Sequence, residues 1–387
     1  MNDHKILHLV IDLTGFGGAE MTLLRYLSAH PNAAAQHRII ALRALRAGPS
    51  VGARLREKGL VVETLGIEGL ADLPRGLIRL IKILRDSDAH ILSAWLYYPA
   101  LIATLLRPFL KAKPRLIWHI RSLPYGTIRK KPLRWLTQHS LAFLSSRSWI
   151  SIISNSTASK EAHAALGYDL SNWHVIPNAI DSTLYHPNEK AREHQRSKLQ
   201  IEQHHFVVGT VGRDVPEKGL TDLFDAFALL YHRAPETEKK QLILMVVGRG
   251  ISRDAPRFAE LLERNKIPEH AVRLLGPRDD VPQLMNVFDC FVMSSHSESF
   301  PNVLAEAMAT ARACISTTVG DCALVLDDER YLVPPQTPEV ISQKIEKIRQ
   351  LSEEERHALG NKNRERVIAH YAPEIMIKAF NQIFEHP

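Results

Sequence analysis

The sequence has 387 residues, of which 45% are hydrophobic and 24% are charged. These proportions are typical of soluble globular proteins and exclude intrinsic disorder, a collagen-like fibre and a disulfide-rich scaffold. The length predicts two or three domains. The three cysteines, Cys290, Cys314 and Cys322, have no Cys-x-x-Cys spacing, which argues against a zinc site and for a reducing compartment.

Charge is unevenly distributed along the chain. Residues 1–178 contain 23 Lys and Arg against 11 Asp and Glu, a net charge of +12, whereas the remainder has a net charge of −5. A basic first half and a mildly acidic second half indicate surfaces for different partners. No signal peptide is recognised and no stretch of about 18 apolar residues occurs. We therefore expect a cytoplasmic protein.

Short apolar runs alternate with amphipathic stretches in the first half. This alternation predicts an open α/β sheet with helices on both faces. The runs contain consecutive apolar residues, which is typical of parallel strands covered on both faces. They lie at 6–13, 38–42, 60–65, 90–94, 115–121, 149–156 and 173–177.

A polar, charge-dense segment at 179–205 predicts an exposed linker with one solvated helix. The second half then repeats the strand–helix alternation, with strands predicted at 206–213, 241–250, 272–276, 290–295 and 313–318. We expect two Rossmann-like, parallel-sheet domains that face each other across a cleft. Their predicted bounds are 1–178 and 206–370, and a C-terminal helix at 371–387 is expected to cross back to the first domain.

The most informative motif places Glu298 and Glu306 on either side of a predicted helix start at Pro301. Glu306 would lie on a helix that is apolar on almost every side, and a buried carboxylate needs hydrogen-bond donors. A ribose diol would supply them, and the free N–H groups near Asn302 and Val303 would bind an anion. The alternative is a structural Glu306 that meets backbone amides or a lysine.

Two cations follow the first predicted strand of the second half. Arg213 ends that strand, and Lys218 stands just before a helix. Ligands of parallel sheets bind at this carboxyl edge, and a guanidinium with an ammonium suits a diphosphate. The alternative is a solvated turn in which these cations pair with Asp214 or Glu217.

A glycine-rich turn with Gly17 and Gly18 follows the first predicted strand of the chain. Glycines there let the backbone approach a phosphate closely, although they are equally typical of a plain turn. A dinucleotide fingerprint needs a glycine where Glu20 stands, so that motif fails and a nicotinamide dehydrogenase is disfavoured.

In this order, the segments resemble the retaining glycosyltransferases of family 4, which have the two-domain GT-B fold. The resemblance covers nearly the whole chain and is carried by Gly-Gly-Ala-Glu at 17–20, Ile-Pro-Asn-Ala-Ile-Asp at 176–181, the cations at 212–219 and the E-x7-E motif at 298–306. A Trp-His-Ile-Arg segment at 118–121 is similar to the Trp-x-Ile-Arg of the bacterial cell-surface polysaccharide branch. Ala179 and Ser299 replace glycines that are common in the family, and neither change affects the carboxylates.

The resemblance implies that the domain at 1–178 binds the acceptor and that the domain at 206–370 binds the nucleotide sugar. It also implies a role for each candidate residue. Arg213 and Lys218 would bind the donor's diphosphate and stabilise it as it leaves. Glu298 would hold the hydroxyls of the donor sugar, and Glu306 those of the ribose. The remaining substrate-binding residues that it implies are Gly17 and Gly18 at the diphosphate, Arg278 at the nucleobase, and Arg121, Phe300, Pro301, Asn302 and Val303.

His119 takes about the position of the family's active-site histidine, which would contact the donor sugar and the acceptor. The Trp-x-Ile-Arg branch does not generally keep a histidine there. A core or strand-end histidine is therefore the alternative for His119.

The implied activity is transfer of a hexose from a UDP- or GDP-linked donor to a sugar acceptor, lipid-linked, in surface polysaccharide biosynthesis. The acceptor hydroxyl would attack the same face that the diphosphate leaves, with retention. No cofactor and no metal are expected, because the two cations neutralise the diphosphate. The rival activities are a non-hydrolysing nucleotide-sugar epimerase of the same fold and a degenerate, non-catalytic binding subunit.

Cations alternate with Trp, Phe and Leu at 106–113 and 128–136. This pattern suits the surface of an anionic membrane, and we expect peripheral docking on the cytoplasmic face of the inner membrane. An ordinary solvated helix face is the alternative. No nucleic-acid-binding motif accompanies the basic charge, so nucleic acid is not expected as a partner.

Overall fold

The computed structural model describes residues 5–15, 17–46, 48–124 and 131–385. The chain divides into two compact units. The first consists of 1–179 together with 373–387, and the second of 180–372.

A parallel sheet forms the centre of the first unit. Its strands are β1 (Ile6–Val10), β2 (His37–Ala41), β3 (Val61–Thr64), β4 (Ile91–Trp95), β5 (Arg115–Ile120), β6 (Ile150–Ser154) and β7 (Trp173–Val175). Within the described residues the spatial order is β3-β2-β1-β4-β5-β6-β7, and all the pairings are parallel. The strands predicted for this half of the chain are thus confirmed.

Helices cover both faces of this sheet, because its central strands are apolar on both sides. Every residue of β1, β4 and β6 is buried. The helices are α1 (Gly18–Ala29), α2 (Ala33–Gln36), α3 (Val51–Glu57), α4 (Leu73–Asp86), α5 (Tyr97–Leu106), α6 (Pro132–Leu144) and α7 (Thr157–Ala164). One core on one face includes residues of α4, α5 and α6, and a second core on the other face includes residues of α1 and α3.

The second unit repeats this architecture. Its strands are β8 (Phe206–Val211), β9 (Leu242–Val247), β10 (Val272–Leu275), β11 (Cys290–Met293), β12 (Ala313–Thr317) and β13 (Leu332–Val333). Over the described residues the order is β10-β9-β8-β11-β12-β13, again parallel. Sequence patterns predicted five of these strands and missed β13, because two residues are too few to show a pattern.

The helices of the second unit surround one large core. They are α8 (Glu189–Lys198), α9 (Leu220–Arg233), α10 (Glu236–Lys239), α11 (Pro256–Arg264), α12 (Val281–Met285), α13 (Asn302–Ala309), α14 (Cys322–Leu326), α15 (Pro338–Gln350) and α16 (Glu353–Tyr371). Short 3-10 turns occur at Leu70–Asp72, Arg107–Phe109, Pro216–Lys218, Glu269–Ala271 and Glu329–Tyr331.

The segment at 179–205 is not the exposed linker that its composition predicts. Residues 180–205 belong to the second unit, and Arg196 of α8 is only 1% exposed. Its guanidinium donates to the carbonyl of Val287 at 3.0 Å and to that of His205 at 2.6 Å. Arg192, one turn earlier, pairs with Asp289 at 2.5 Å. These long-range partners turn a charged helix into a packed one.

The last helix, α17 (Pro373–Glu385), is part of the first unit. Its apolar side chains Phe380 and Phe384 are buried in the core that also contains α1. The hydroxyl of Tyr26 on α1 donates to the Asn381 side chain at 3.0 Å. Among the described residues, no helix is long and apolar enough to cross a membrane.

Each sheet has one point where the strand order reverses direction. In the first sheet this switch point lies between β1 and β4, and in the second it lies between β8 and β11. Chain connections leave in opposite directions at such a point and open a crevice at the carboxyl ends of the two strands, where open α/β sheets bind ligands.

Candidate active site

The switch point of the second sheet brings the two predicted motifs of that unit together. Gly212 and Lys218, which follow β8, line one small pocket with Ser294 and Ser295, which follow β11. Val303, in the first turn of α13, lines the same pocket. The cations and the E-x7-E segment therefore meet at one edge of one sheet.

An ion pair joins these two motifs. The Lys218 Nζ lies 2.5 Å from the Glu298 Oε1, and the two side chains are only 23% and 12% exposed. The hydroxyl of Ser295 donates to the same carboxylate oxygen at 2.9 Å. Because Glu298 neutralises Lys218, a phosphate that binds this ammonium must compete with the carboxylate.

Two glycines allow the backbones around this pair to approach closely. Gly219 has φ +58°, and a Cβ there would lie 2.0 Å from the carbonyl oxygen of Ser294. Gly320 has φ +56°, and a Cβ there would lie 2.1 Å from the carbonyl oxygen of Glu298. Any side chain at either position would push the loop at 294–298 out of place.

A second side-chain pair supports the same loop. The His296 Nε2 lies 2.7 Å from an Asp222 carboxylate oxygen in the first turn of α9. The backbone N–H of His296 donates to the carbonyl of Glu217 at 2.8 Å. The loop that carries Glu298 is therefore attached to the turn that carries Lys218 and to the helix that follows it. The sequence offered no signal for the Asp222–His296 pair, since 74 positions separate its members.

Arg213 is exposed, and among the described residues its guanidinium has no hydrogen-bond or ion-pair partner. The neighbouring carboxylate of Asp214 pairs instead with Arg257 on α11. The surface pair between Arg213 and Asp214 that the sequence allowed is thus not formed. Arg213 remains available to an anion at this edge.

The helix α13 begins at Asn302, and its N-cap Pro301 has no side chain that satisfies the first N–H groups. Phe300 and Pro301 are buried, and the Phe300 ring packs edge-on against Tyr371 at 5.4 Å. Their side chains therefore anchor the helix start, and only their backbone is left to meet a substrate. Glu306 is half-buried on this helix, not fully buried as its apolar neighbours suggest.

Arg278 follows β10 at the same edge of the sheet. Its Nε and Nη2 donate to the two carboxylate oxygens of Asp280 at 2.8 and 2.6 Å. This bidentate bond raises the pKa of Arg278 and lowers that of Asp280. This bond fixes the plane of the Arg278 guanidinium. Because both hydrogen bonds lie in that plane, the face of the guanidinium suits stacking on a flat ring. The expected contact with the nucleobase stays a prediction.

Gly17 and Gly18 lie in the first unit, at the start of α1. Both are exposed, and Gly17 is the N-cap residue without a capping side chain. A Cβ on Gly17 would lie 2.3 Å from a carboxylate oxygen of Glu20, so this carboxylate folds back over the helix start. Burial raises the pKa of Glu20, and the nearby Asp12 raises it further. The expected contact of the two glycines with a diphosphate stays a prediction.

His119 is a core residue, and its assignment to the catalytic set is corrected here. It is 0% exposed, its Nε2 meets the Ser93 hydroxyl at 2.9 Å, and its ring stacks on Trp95 with centroids 3.9 Å apart. Phe380 of α17 covers it at 5.6 Å. Burial, followed by the nearby Arg121, holds its pKa well below the ordinary value. An enclosed, neutral imidazole cannot touch a substrate.

Arg121 ends β5 and is 8% exposed. Its Nη2 donates to the side-chain oxygen of Asn178, and its guanidinium lies 5.9 Å from the centre of the Trp95 ring. Burial lowers its pKa to about 9. In the described part of the chain, the Nε and Nη1 atoms lack a partner. The observed contacts of Arg121 are with the protein's own core, and a bond to substrate stays a prediction.

No group of three or more His, Cys, Asp or Glu side chains is arranged to hold a metal ion in the portion of the chain described above. The acidic and histidine side chains at the site, Glu298, Asp222 and His296, are engaged in the pairs already given.

The chain has two Rossmann-like domains with parallel sheets, and a cation–carboxylate site lies at the switch point of the second domain's sheet. These features are those of a protein with the GT-B fold. Residues 16–184 match the family model "Glycosyltransferase Family 4", and residues 205–350 match "Glycosyl transferases group 1". Both matched models describe glycosyltransferase domains and together cover most of the chain, which is therefore a glycosyltransferase of the GT-B fold.

Curated relatives are similar over various shares of the chain. The capsular polysaccharide biosynthesis glycosyltransferase CapM of Staphylococcus aureus is 24% identical over 322 residues, which span 80% of both chains. The N-acetyl-alpha-D-glucosaminyl L-malate synthase of Bacillus anthracis is 31% identical over 54% of this chain and 52% of its own. The putative glycosyltransferase EpsF of Bacillus subtilis is 32% identical over 37% of this chain. The matched regions span only 35% of EpsF and about half of the malate synthase.

Solved structures share the fold over the full length. HepE of Anabaena in complex with UDP has a TM-score of 0.82 at 20% identity, covering 99% of this chain and 100% of its own. WaaG, a glycosyltransferase involved in lipopolysaccharide biosynthesis, has a TM-score of 0.75 at 17% identity, with the same coverage.

Proposed function

We propose that this protein is a retaining glycosyltransferase that moves a hexose from a UDP- or GDP-linked donor to a sugar acceptor. The observation that carries the proposal is the Lys218–Glu298 pair at 2.5 Å, beside the start of α13. A diphosphate would bind Lys218 and the exposed Arg213, and Glu298 would exchange its ammonium partner for hydroxyls of the donor sugar. Glu306 would hold the ribose.

Catalysis in this proposal is mainly electrostatic. The bond between the anomeric carbon and the diphosphate oxygen breaks, and the acceptor oxygen bonds to that carbon from the same face. The acceptor's proton passes to the leaving oxygen, and Lys218 and Arg213 stabilise the released diphosphate. Because two cations neutralise this charge, the proposal needs no metal. Each charge-assisted contact contributes about 1.5–3 kcal/mol.

The acceptor is proposed to be a lipid-linked sugar in surface polysaccharide biosynthesis. The names of CapM and WaaG, which refer to capsular polysaccharide and lipopolysaccharide, support this role. The complexes of HepE with UDP and with UDP-glucose support a nucleotide-sugar donor.

Peripheral docking on the cytoplasmic face of the inner membrane is part of the proposal. Phe109 is 64% exposed beside the exposed Lys111 and Lys113, and Leu133 and Leu136 are exposed on α6. The rest of the second basic segment, at 128–130, lies outside the described residues. Apolar and cationic side chains presented together suit an anionic bilayer.

Thermal stabilisation by nucleotides tests the donor site. UDP, GDP and their sugar conjugates are titrated against the wild type, Lys218→Ala and Lys239→Ala. The control variant removes a Lys–Glu ion pair from α10, which precedes β9 and lies at the opposite edge of the sheet. Ligand at 100 times its Kd stabilises a protein by about 2.7 kcal/mol. We expect stabilisation that Lys218→Ala reduces and Lys239→Ala retains, whereas indifference to every nucleotide would contradict the proposal.

Two further assays separate the rival functions. An epimerase would convert a nucleotide sugar in the absence of an acceptor, which chromatography detects. A binding subunit would bind the nucleotide sugar but would release no UDP or GDP from it, whichever acceptor is supplied. The presence of Arg213, Lys218, Glu298 and Glu306 favours the transferase over the binding subunit.

A further inference from the structure

The second unit has a groove between the end of α9 and one side of α15, called here the α9–α15 groove. Residues at the end of α9 and in the turn that follows it line one wall, and residues 342–349 of α15 line the other. Its volume of ≈ 440 Å³ lies within the range of about 300–1,000 Å³ that is typical of small-molecule sites.

This groove is separate from the candidate active site. The helix α9 begins at Leu220, just after Lys218 at the carboxyl edge of the sheet, and ends at Arg233. At 1.5 Å per residue, its 14 residues place the two ends about 20 Å apart. The groove therefore lies at the opposite, amino edge of the sheet, and the proposed donor contacts make no use of it.

The groove has an aliphatic floor with one buried hydroxyl. Leu230 and Ala234 are 3% and 9% exposed, and the exposed Pro235 extends the same apolar surface. Ser342 of α15 also lines the groove and is only 2% exposed. Its hydroxyl has no hydrogen-bond partner in the part of the chain that the structure describes. Because buried polar groups are normally hydrogen-bonded, this hydroxyl indicates a ligand.

Two of the cations that line the groove lack a counterion. The third, Arg349, donates from Nε and Nη2 to the two carboxylate oxygens of Glu346, each at 2.8 Å, and from Nη1 to Glu238. Glu346 is thus already paired. Arg233 and Lys347 are exposed, and neither has an ion-pair or hydrogen-bond partner among the described residues. Their charges favour an anion in the groove.

The chemistry of the lining selects the class of anion. The described residues that line the groove include no aromatic side chain for a sugar or a base to stack on, and no glycine for close approach of a pyrophosphate. The aliphatic floor suits a hydrocarbon chain instead. A phosphate monoester carries a charge of about −1.5 to −2 near pH 7 and three acceptor oxygens. It therefore suits two cations and a hydroxyl better than a carboxylate does.

We propose that the α9–α15 groove binds an aliphatic phosphate monoester. The phosphate lies at Arg233 and Lys347, and the Ser342 hydroxyl donates to one of the ester's oxygens. The hydrocarbon chain packs on Leu230 and Ala234. This binding site is additional to the donor site and does not depend on the proposed transferase function.

Calorimetric titration with decyl phosphate, kept below its micelle-forming concentration, tests the site. We expect the wild type to bind this probe more tightly than decanoate and not to bind decyltrimethylammonium. Arg233→Gln and Lys347→Gln should each weaken binding about tenfold, as the loss of a charge-assisted contact predicts. Ser342→Ala should weaken it a few times. Lys190→Gln, at an exposed lysine of α8 outside the groove, is the matched control and should retain binding.

Lys218→Ala distinguishes this groove from the donor site. Binding of decyl phosphate that survives Lys218→Ala and falls in Arg233→Gln supports the proposal. Binding that only Lys218→Ala removes places the probe in the donor site and overturns it, as does the absence of binding. Equal binding of decyltrimethylammonium would show uptake of hydrocarbon alone, and equal affinity for decanoate would refute the phosphate. Arg233 and Lys347 are exposed, so their variants are expected to fold.

Discussion

The ammonium of Lys218 lies 2.5 Å from the carboxylate of Glu298, although 80 positions separate the two residues in the chain. This contact joins the turn after β8 to the loop after β11 and holds a cation and an anion at the switch point of the second sheet. Each partner has a proposed ligand, phosphate for Lys218 and sugar hydroxyls for Glu298. The pair therefore holds both side chains in place for a donor that separates them.

Removal of the ammonium should slow transfer. Lys218→Ala loses one charge-assisted contact with the leaving diphosphate, and we expect kcat/KM to fall by about one to two orders of magnitude. Steady-state release of UDP or GDP measures this, with Lys239→Ala as the matched ion-pair control. A Lys218→Ala enzyme that matches the wild type would rule out the phosphate contact.

Removal of the charge on Glu298 should change the affinity for two ligands by unequal amounts. Glu298→Gln frees Lys218 from its ion pair, so UDP or GDP should bind a few times more tightly. The nucleotide sugar should gain less, because it loses a carboxylate acceptor for its hydroxyls. Calorimetric titration of both ligands gives the ratio. Equal changes for nucleotide and nucleotide sugar would contradict the assignment of Glu298 to the sugar.

The Asp222–His296 pair should act through the position of the loop at 294–298. His296→Ala removes one hydrogen bond at 2.7 Å, and we expect kcat/KM for the donor to fall about two- to tenfold. His296→Gln keeps a donor toward Asp222 and should restore much of the loss. A pure stability effect would lower the melting temperature of His296→Ala without changing donor KM, and would contradict a positioning role.

Buried histidines should make the first unit sensitive to acid. Burial holds the pKa of His8 and His119 well below its ordinary value, and it lowers that of His37 to about 3. The folded chain keeps them neutral, whereas the unfolded chain protonates them below about pH 6.5. The contribution of these histidines to the free energy of unfolding is therefore fully present above that pH. It is lost as the pH falls, by up to about 1.4 kcal/mol per histidine and pH unit.

Denaturant unfolding between about pH 7 and pH 5 measures this loss. His37→Asn removes one buried group and should make the fall in unfolding free energy less steep. His357→Asn, at an exposed position on α16, is the matched control and should leave the slope unchanged. An identical slope for His37→Asn and the wild type would refute the explanation.

Apolar side chains should contribute to membrane docking beyond charge alone. A double change, Leu133→Ser with Leu136→Ser, removes two exposed hydrocarbon groups from α6 and should weaken binding to phosphatidylglycerol vesicles. Sedimentation with vesicles measures it, and Leu324→Ser, at an exposed leucine of the second unit, is the control. Docking is contradicted if the wild type does not sediment with these vesicles.

Much of the fold could be predicted, because buried parallel strands appear in the sequence as local runs of apolar residues, such as those at 6–13 and 206–213. The placement of Arg213, Lys218 and Glu298 at the carboxyl ends of strands was predictable as well, since all three follow such runs. Long-range partners were not. His119 looked accessible at a strand end, but Phe380, 261 positions later, covers it. Similarly, charged residues such as Arg196 predicted a solvated linker at 179–205. The sequence does not show that the carbonyls of Val287 and His205 bind this guanidinium.

A crystal structure with UDP or GDP tests the central claim most directly. We expect the phosphates to lie on Arg213 and Lys218, the ribose hydroxyls to meet Glu306, and the Lys218–Glu298 contact to be lengthened or broken. A nucleotide bound away from the carboxyl edge of β8 and β11, with Lys218 still paired to Glu298, would contradict the account.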